Sequence, residues 1–235
     1  MKEIKTWDDI TVRQFVELKS ITHDDEFQTI SILLDIPLNE MMEMDLNEFN
    51  KLTNKLDFVN NPIKEKAKEF IETKAGIFYK IDLNKITLGE FLDLEHYFTN
   101  DYYLNLPYII GIFYRKKENQ NQLLFPDKFE NYGDFLETRK SLFLDLPITY
   151  VHSILEEYLK FRSMIFKSCE GLFSGGGEKN DDDYDDEVKE TNKWGWDAVV
   201  FNLTKNDITK IDEVYKTKLF AVLNVLSMKS ELNIT

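Results

Sequence analysis

Along most of this chain apolar residues recur at intervals of three and four, the spacing that lines one face of an α-helix. The clearest instance is written twice. Ile10-Thr11-Val12-Arg13-Gln14-Phe15-Val16-Glu17-Leu18 returns as Ile86-Thr87-Leu88-Gly89-Glu90-Phe91-Leu92-Asp93-Leu94. Each copy sets Thr three residues before Gln or Glu, the capping box that opens a helix, and follows it with large apolar side chains at helical spacing. The same periodicity predicts a helix from about Asp24 to Leu34, with Phe27, Ile30, Leu33 and Leu34 on one face. Pro37 interrupts it, a Met-rich turn follows (Met41, Met42, Met44), and a further helix opens at Asp45 with Phe49, Leu52 and Leu56 as its stripe.

Asn60-Asn61-Pro62 closes this first block. Phe70-Ile71-Glu72-Thr73 and Ile77-Phe78-Tyr79-Lys80-Ile81 then read as two strands across a Gly-containing turn, a hairpin at about 69–81. A lone hairpin is marginal, so it must lie on a helical body or pair with another chain. Helices are expected from Thr87 to about Phe98, over Leu106 to Tyr114, over 132–143 and from Ile148 to Phe173, with a polar loop at 116–131. Thr209 with Asp212 is expected to open a last helix carrying Val214, Leu219, Val222, Leu223 and Leu226.

The fold class is therefore mainly α, with one β-hairpin and a flexible acidic linker. The expected organisation is an N-terminal helical unit at 1–60, a hairpin plus helical body at 61–173, the linker at 174–191 and a C-terminal helical piece at 192–235. The linker is read from composition. Gly175-Gly176-Gly177 precedes Asp181-Asp182-Asp183-Tyr184-Asp185-Asp186-Glu187, and 178–190 holds eight acidic residues against two Lys. Like charges at this density repel and oppose burial.

Charge sharpens the choice of function class. With 43 acidic and 29 basic residues the chain carries a net charge of −14, which opposes the phosphate neutralisation that drives nucleic-acid binding. No apolar run approaches the length of a membrane span, and Met1-Lys2-Glu3-Ile4-Lys5 does not read as a signal peptide. The expectation is a soluble cytoplasmic protein with no nucleic-acid or membrane partner.

Candidate chemistry is sparse. His23, His96 and His152 are scattered without a second ligand at metal spacing. The acidic run lacks the Gly and register of a calcium loop, and Gly175-Gly176-Gly177-Glu178-Lys179 lacks the ending of a phosphate loop. Cys169 sits in an apolar helical stretch and reads as core. No catalytic residue, cofactor or metal is implied. What remains is Trp194-Gly195-Trp196. On a helix those rings point about 200° apart, so they cannot share one buried stripe. Trp194 and Trp196 are the candidate partner-binding residues, with packing in the core as the alternative.

Several segments together resemble a known group. They are Trp7-Asp8-Asp9-Ile10-Thr11-Val12 with Phe15 and Leu18, Asp82-Leu83-Asn84-Lys85-Ile86-Thr87 after the hairpin, and Asn105-Leu106-Pro107-Tyr108-Ile109-Ile110. Trp196-Asp197 and Asp207-Ile208-Thr209-Lys210-Ile211-Asp212-Glu213-Val214 complete the set. Across nearly its whole length the chain resembles proteins encoded in the tail-gene regions of tailed bacteriophages, which are usually labelled tail assembly chaperones or virion proteins. The resemblance implies a noncatalytic protein that holds the tape-measure protein, or another phage tail or virion component, in the host cytoplasm during assembly. The alternative it implies is a structural virion component such as a neck, ring or tail-hub subunit. Self-association into a homo-oligomer is left open.

Overall fold

A computed structural model describes residues 4–21, 25–118, 129–131, 133–168 and 195–232. The fold is mainly helical with a small three-stranded antiparallel sheet. It divides into two compact units that do not follow chain order. One comprises Met1–Ile81 with Leu94–Glu157, the other Asp82–Asp93 with Tyr158–Thr235. The acidic linker and Cys169 lie outside the described residues.

The first unit begins with α1 (Val12–Lys19), α2 (Glu26–Leu34), α3 (Leu38–Met42) and α4 (Leu46–Lys55). Their starts are chemically explicit. Thr11 accepts from the Gln14 amide and Gln14 accepts back from the Thr11 amide, which is the expected capping box. Asp25 caps α2 and Asp45 caps α4 through side-chain acceptors at 3.1 and 2.8 Å. Ile30, Leu33 and Leu34 are buried as their spacing requires, while Phe27 stays partly exposed against Phe49.

The hairpin forms as β1 (Phe70–Thr73) and β2 (Gly76–Lys80), in a register pairing Ile71 with Phe78 and Thr73 with Gly76. Gly76 adopts φ +124°, a value only Gly takes without strain. The central helix is α6 (Leu106–Phe113), which buries Leu106, Ile109, Ile110, Ile112 and Phe113. Each such side chain contributes roughly 1.5–3 kcal/mol on leaving water. It stops one residue earlier than its apolar run. Tyr114 leaves the helix with Arg115 as β3 and pairs with Lys80 on the hairpin, so the sheet gains a third strand. The buried Tyr114 hydroxyl donates to the Lys68 carbonyl at 2.7 Å, and burial pushes its pKa up.

Gly111 of α6 admits α7 (Leu136–Leu142) at close range, since a Cβ there would stand 2.8 Å from Leu136 Cδ1. Arg139 of α7, fully buried, donates from Nε to the Gly111 carbonyl at 3.0 Å and from Nη1 to Glu130 at 2.9 Å.

The described parts of the expected helices at 132–143 and 148–173 open as 3-10 turns. The first is a 3-10 turn at Gly133–Phe135 followed by α7. The second opens as a 3-10 turn at Ile148–Tyr150 before α8 (Ile154–Ser168). Its delayed start has a tertiary cause. Around Thr11 and Pro147 two backbone segments pair antiparallel, the Val12 amide donating to Leu146 and the Ile148 amide to Ile10, each at 2.8 Å. That pairing holds Pro147 extended.

The second unit repeats the device. Thr87 and Glu90 form the reciprocal box at the head of α5 (Leu88–Thr99). Around Thr87 and Lys218 the same two bonds recur, from Leu88 to Thr217 at 2.9 Å and from Leu219 to Ile86 at 3.0 Å. The repeated phrase is thus a repeated junction: a Thr-capped helix start clasped against a second helix start. It also breaks the expected last helix. α9 (Gly195–Leu203) is followed by a 3-10 turn at Ile208–Lys210, then α10 (Ile211–Lys216), extended Thr217-Lys218, and α11 (Leu219–Glu231). The cap that opens this region is Asp207, not the expected pair Thr209 and Asp212. Its carboxylate accepts from the Thr209 amide and hydroxyl at 3.1 and 2.6 Å.

Candidate partner-binding surface

Of the two candidate residues, Trp194 lies outside the described residues. Trp196 stands in the first turn of α9, which begins at Gly195 with φ +40°. The Trp196 ring is half-buried and meets Phe91 edge-on, centroids 5.6 Å apart. Phe91 is fully buried in α5, with Tyr158 at 6.4 Å. One side of Trp196 therefore packs on the interior of the second unit, an aromatic contact worth roughly 0.5–1.5 kcal/mol beyond area burial.

The three helices that follow are fixed by local chemistry. Thr204 is buried and returns its hydroxyl to the Phe201 carbonyl at 2.7 Å. Lys205 and Asn206 take left-handed backbone (φ 55° and 67°), turning the chain toward Asp207. The Thr209 hydrogen bond and the Lys210 ammonium hold the Asp207 carboxyl below the usual carboxylate range. The Lys218 ammonium donates to the Lys85 carbonyl beside the clasp.

α11 is the unusual element. At 100° per residue, Leu219, Val222, Leu223 and Leu226 share one side, and the first three are buried. Ala221, Val225, Met228 and the C-cap Leu232 fall within about 60° of one another on the opposite side, and all four are exposed. Val225, Met228 and Leu232 are 41%, 51% and 60% exposed. The spacing i, i+4, i+7, i+11 is that of a helix-packing seam. Lys229 stands on one edge of the stripe and Glu231 on the other. The sequence held a signal for this second face: 219–232 contains more apolar residues than one helical face can hold.

The histidines are separate. His96 is exposed on α5, whereas His152 is partly buried edge-on to Phe15 at 5.5 Å, and burial pushes its pKa down. His23 lies outside the described residues. Among the described residues no three His, Cys, Asp or Glu side chains gather closely enough to hold a metal ion. No helix among them is long and apolar enough to cross a membrane. Compared with known proteins, the chain matches no family model, no curated protein and no solved structure. Any functional reading rests on its own residues and on the resemblance of its motifs.

Proposed function

We propose that this chain is a noncatalytic bacteriophage assembly protein, a tail assembly chaperone that holds a helical client such as the tape-measure protein in the host cytoplasm. The observation that carries the reading is the second, exposed apolar face of α11. A client helix laid along Ala221, Val225, Met228 and Leu232 buries the same kind of stripe on both partners, the helix-to-helix mode of recognition. The net charge of −14 keeps such a complex soluble. In this arrangement Trp196 anchors the terminal piece through Phe91, and the stripe on α11 meets the client.

The test is the pair Val225→Asp and Met228→Asp in one chain. Both side chains are exposed, so melting stays close to that of the parent while capture of the tail client from infected cells is lost. Unchanged capture refutes the assignment of this face. A protein that captures no tail component yet is stoichiometric in purified virions, by mass spectrometry, is a structural subunit and not a chaperone.

A further inference from the structure

A second surface, in the first unit and independent of α11, has a different chemistry. Met41 of α3 is fully buried, whereas Leu38 and Met42, one turn apart on that short helix, are exposed. The chain then runs through a tight turn into α4, whose first residue is Leu46. Met42 and Leu46 are each 72% exposed, the highest exposure of any large apolar residue in the described structure. The tip is well held: the Glu43 amide donates to Asn39, the Met44 amide to Met41, and the Asp45 side chain accepts from the Asn47 amide. Asp35, Glu40, Glu43, Asp45 and Glu48 surround these apolar side chains in sequence, all exposed, and no Lys or Arg occurs between 35 and 50.

We infer that the Leu38–Met42–Leu46 surface docks a basic amphipathic helix of another protein. Charge decides the occupant. A second copy of this chain seated by twofold symmetry would bring two copies of this uncompensated acidic segment together. An anionic lipid surface would meet the same repulsion. A helix with a Leu-rich side and Lys or Arg along its edges satisfies both features at once. Its apolar side covers Met42 and Leu46, and its cations offset the negative charge of segment 35–48. The unbranched Met42 thioether adapts to the shape that arrives, as Met does on surfaces that receive varied helices.

The experiment uses the full chain and a fluorescent Leu/Lys amphipathic peptide of about 18 residues. Its controls are a Leu/Glu peptide of the same pattern and a Ser/Lys peptide of the same charge. Anisotropy is read on the parent, on Met42→Ser with Leu46→Ser, and on Glu40→Gln with Glu43→Gln. The Leu/Lys peptide binds the parent, and the Ser pair weakens it by about tenfold or more. The Gln pair weakens it less and flattens its salt dependence between about 0.05 and 0.3 M. Hydrogen exchange on the bound parent slows across 38–46. The inference is overturned if the peptide does not bind, or binds the Ser pair as tightly as the parent, which marks attraction to carboxylates elsewhere. Equal binding of the Leu/Glu peptide overturns it too, as does a dimer of the chain that the Ser pair abolishes. Should the Ser pair lower the melting temperature, the salt dependence of the Gln pair decides alone.

Discussion

Gln14 does two jobs, and replacing it by Glu separates them. Its Oε1 accepts from the Thr11 amide and hydroxyl at 3.0 Å each, closing the capping box of α1. Its Nε2 donates to the Ile32 and Leu33 carbonyls at 3.1 and 3.0 Å, at the C-terminal end of α2. The second copy of the phrase carries Glu at the same place, Glu90, so the repeat alone says the exchange is harmless. The geometry says otherwise. Gln14→Glu keeps the acceptor but loses both donors, worth roughly 0.5–1.5 kcal/mol each. It also sets a carboxylate against the negative end of α2, costing roughly another 0.3–1 kcal/mol. The expected loss is about 2–3 kcal/mol, below that of Gln14→Ala, which forfeits all four bonds. Urea denaturation followed by circular dichroism measures it, and hydrogen exchange over 26–34 locates it. A Gln14→Glu variant within about 0.5 kcal/mol of the parent, with unchanged exchange in α2, refutes the reasoning.

Further outcomes follow from the same contacts. Gly111→Val forces branched carbons into the space Leu136 occupies and destabilises by about 1–3 kcal/mol in denaturant. Arg139→Met leaves the Gly111 carbonyl and the Glu130 carboxylate without their buried partner, at a cost of about 3 kcal/mol by the same measurement. His152 titrates below its ordinary 6.5 because burial disfavours its charged form. The unfolded chain therefore takes up the proton first, and stability falls as pH drops below 6.5. Melting at successive pH values should show a smaller acid loss in His152→Gln than in the parent. Trp196→Ala removes the Phe91 contact and lowers the melting temperature of the full chain.

Elements governed by neighbours in sequence were legible in it. The two capping boxes, the cap at Asp45, the buried stripe of α4 and the hairpin each follow from residues within a turn or two. The departures share one physical origin. Leu146-Pro147 stands at the junction of two helical patterns and Thr217-Lys218 inside a third, and Pro147 and Thr217-Lys218 are each held extended by two backbone bonds from a distant Thr-capped start. Tyr114 likewise continues an apolar helix on paper, but Lys80 offers a strand edge and the chain pairs with it. Periodicity carries no record of such partners. The candidate surface was half legible. Trp196 stands out in the sequence as one of a closely spaced Trp pair, whereas the stripe on α11 does not, because a helix apolar on two sides has no dominant face.

In the proposed function α11 presents its second apolar face to a phage tail client. A photo-crosslinking residue at Met228, with one at the exposed Lys205 as reference, tests it directly in infected cells before particles assemble. Position 228 should give one dominant adduct, its mass and peptides those of a tail-gene product rich in helix, and position 205 no such adduct. No adduct at 228, or the same scatter of host proteins from both positions, contradicts it.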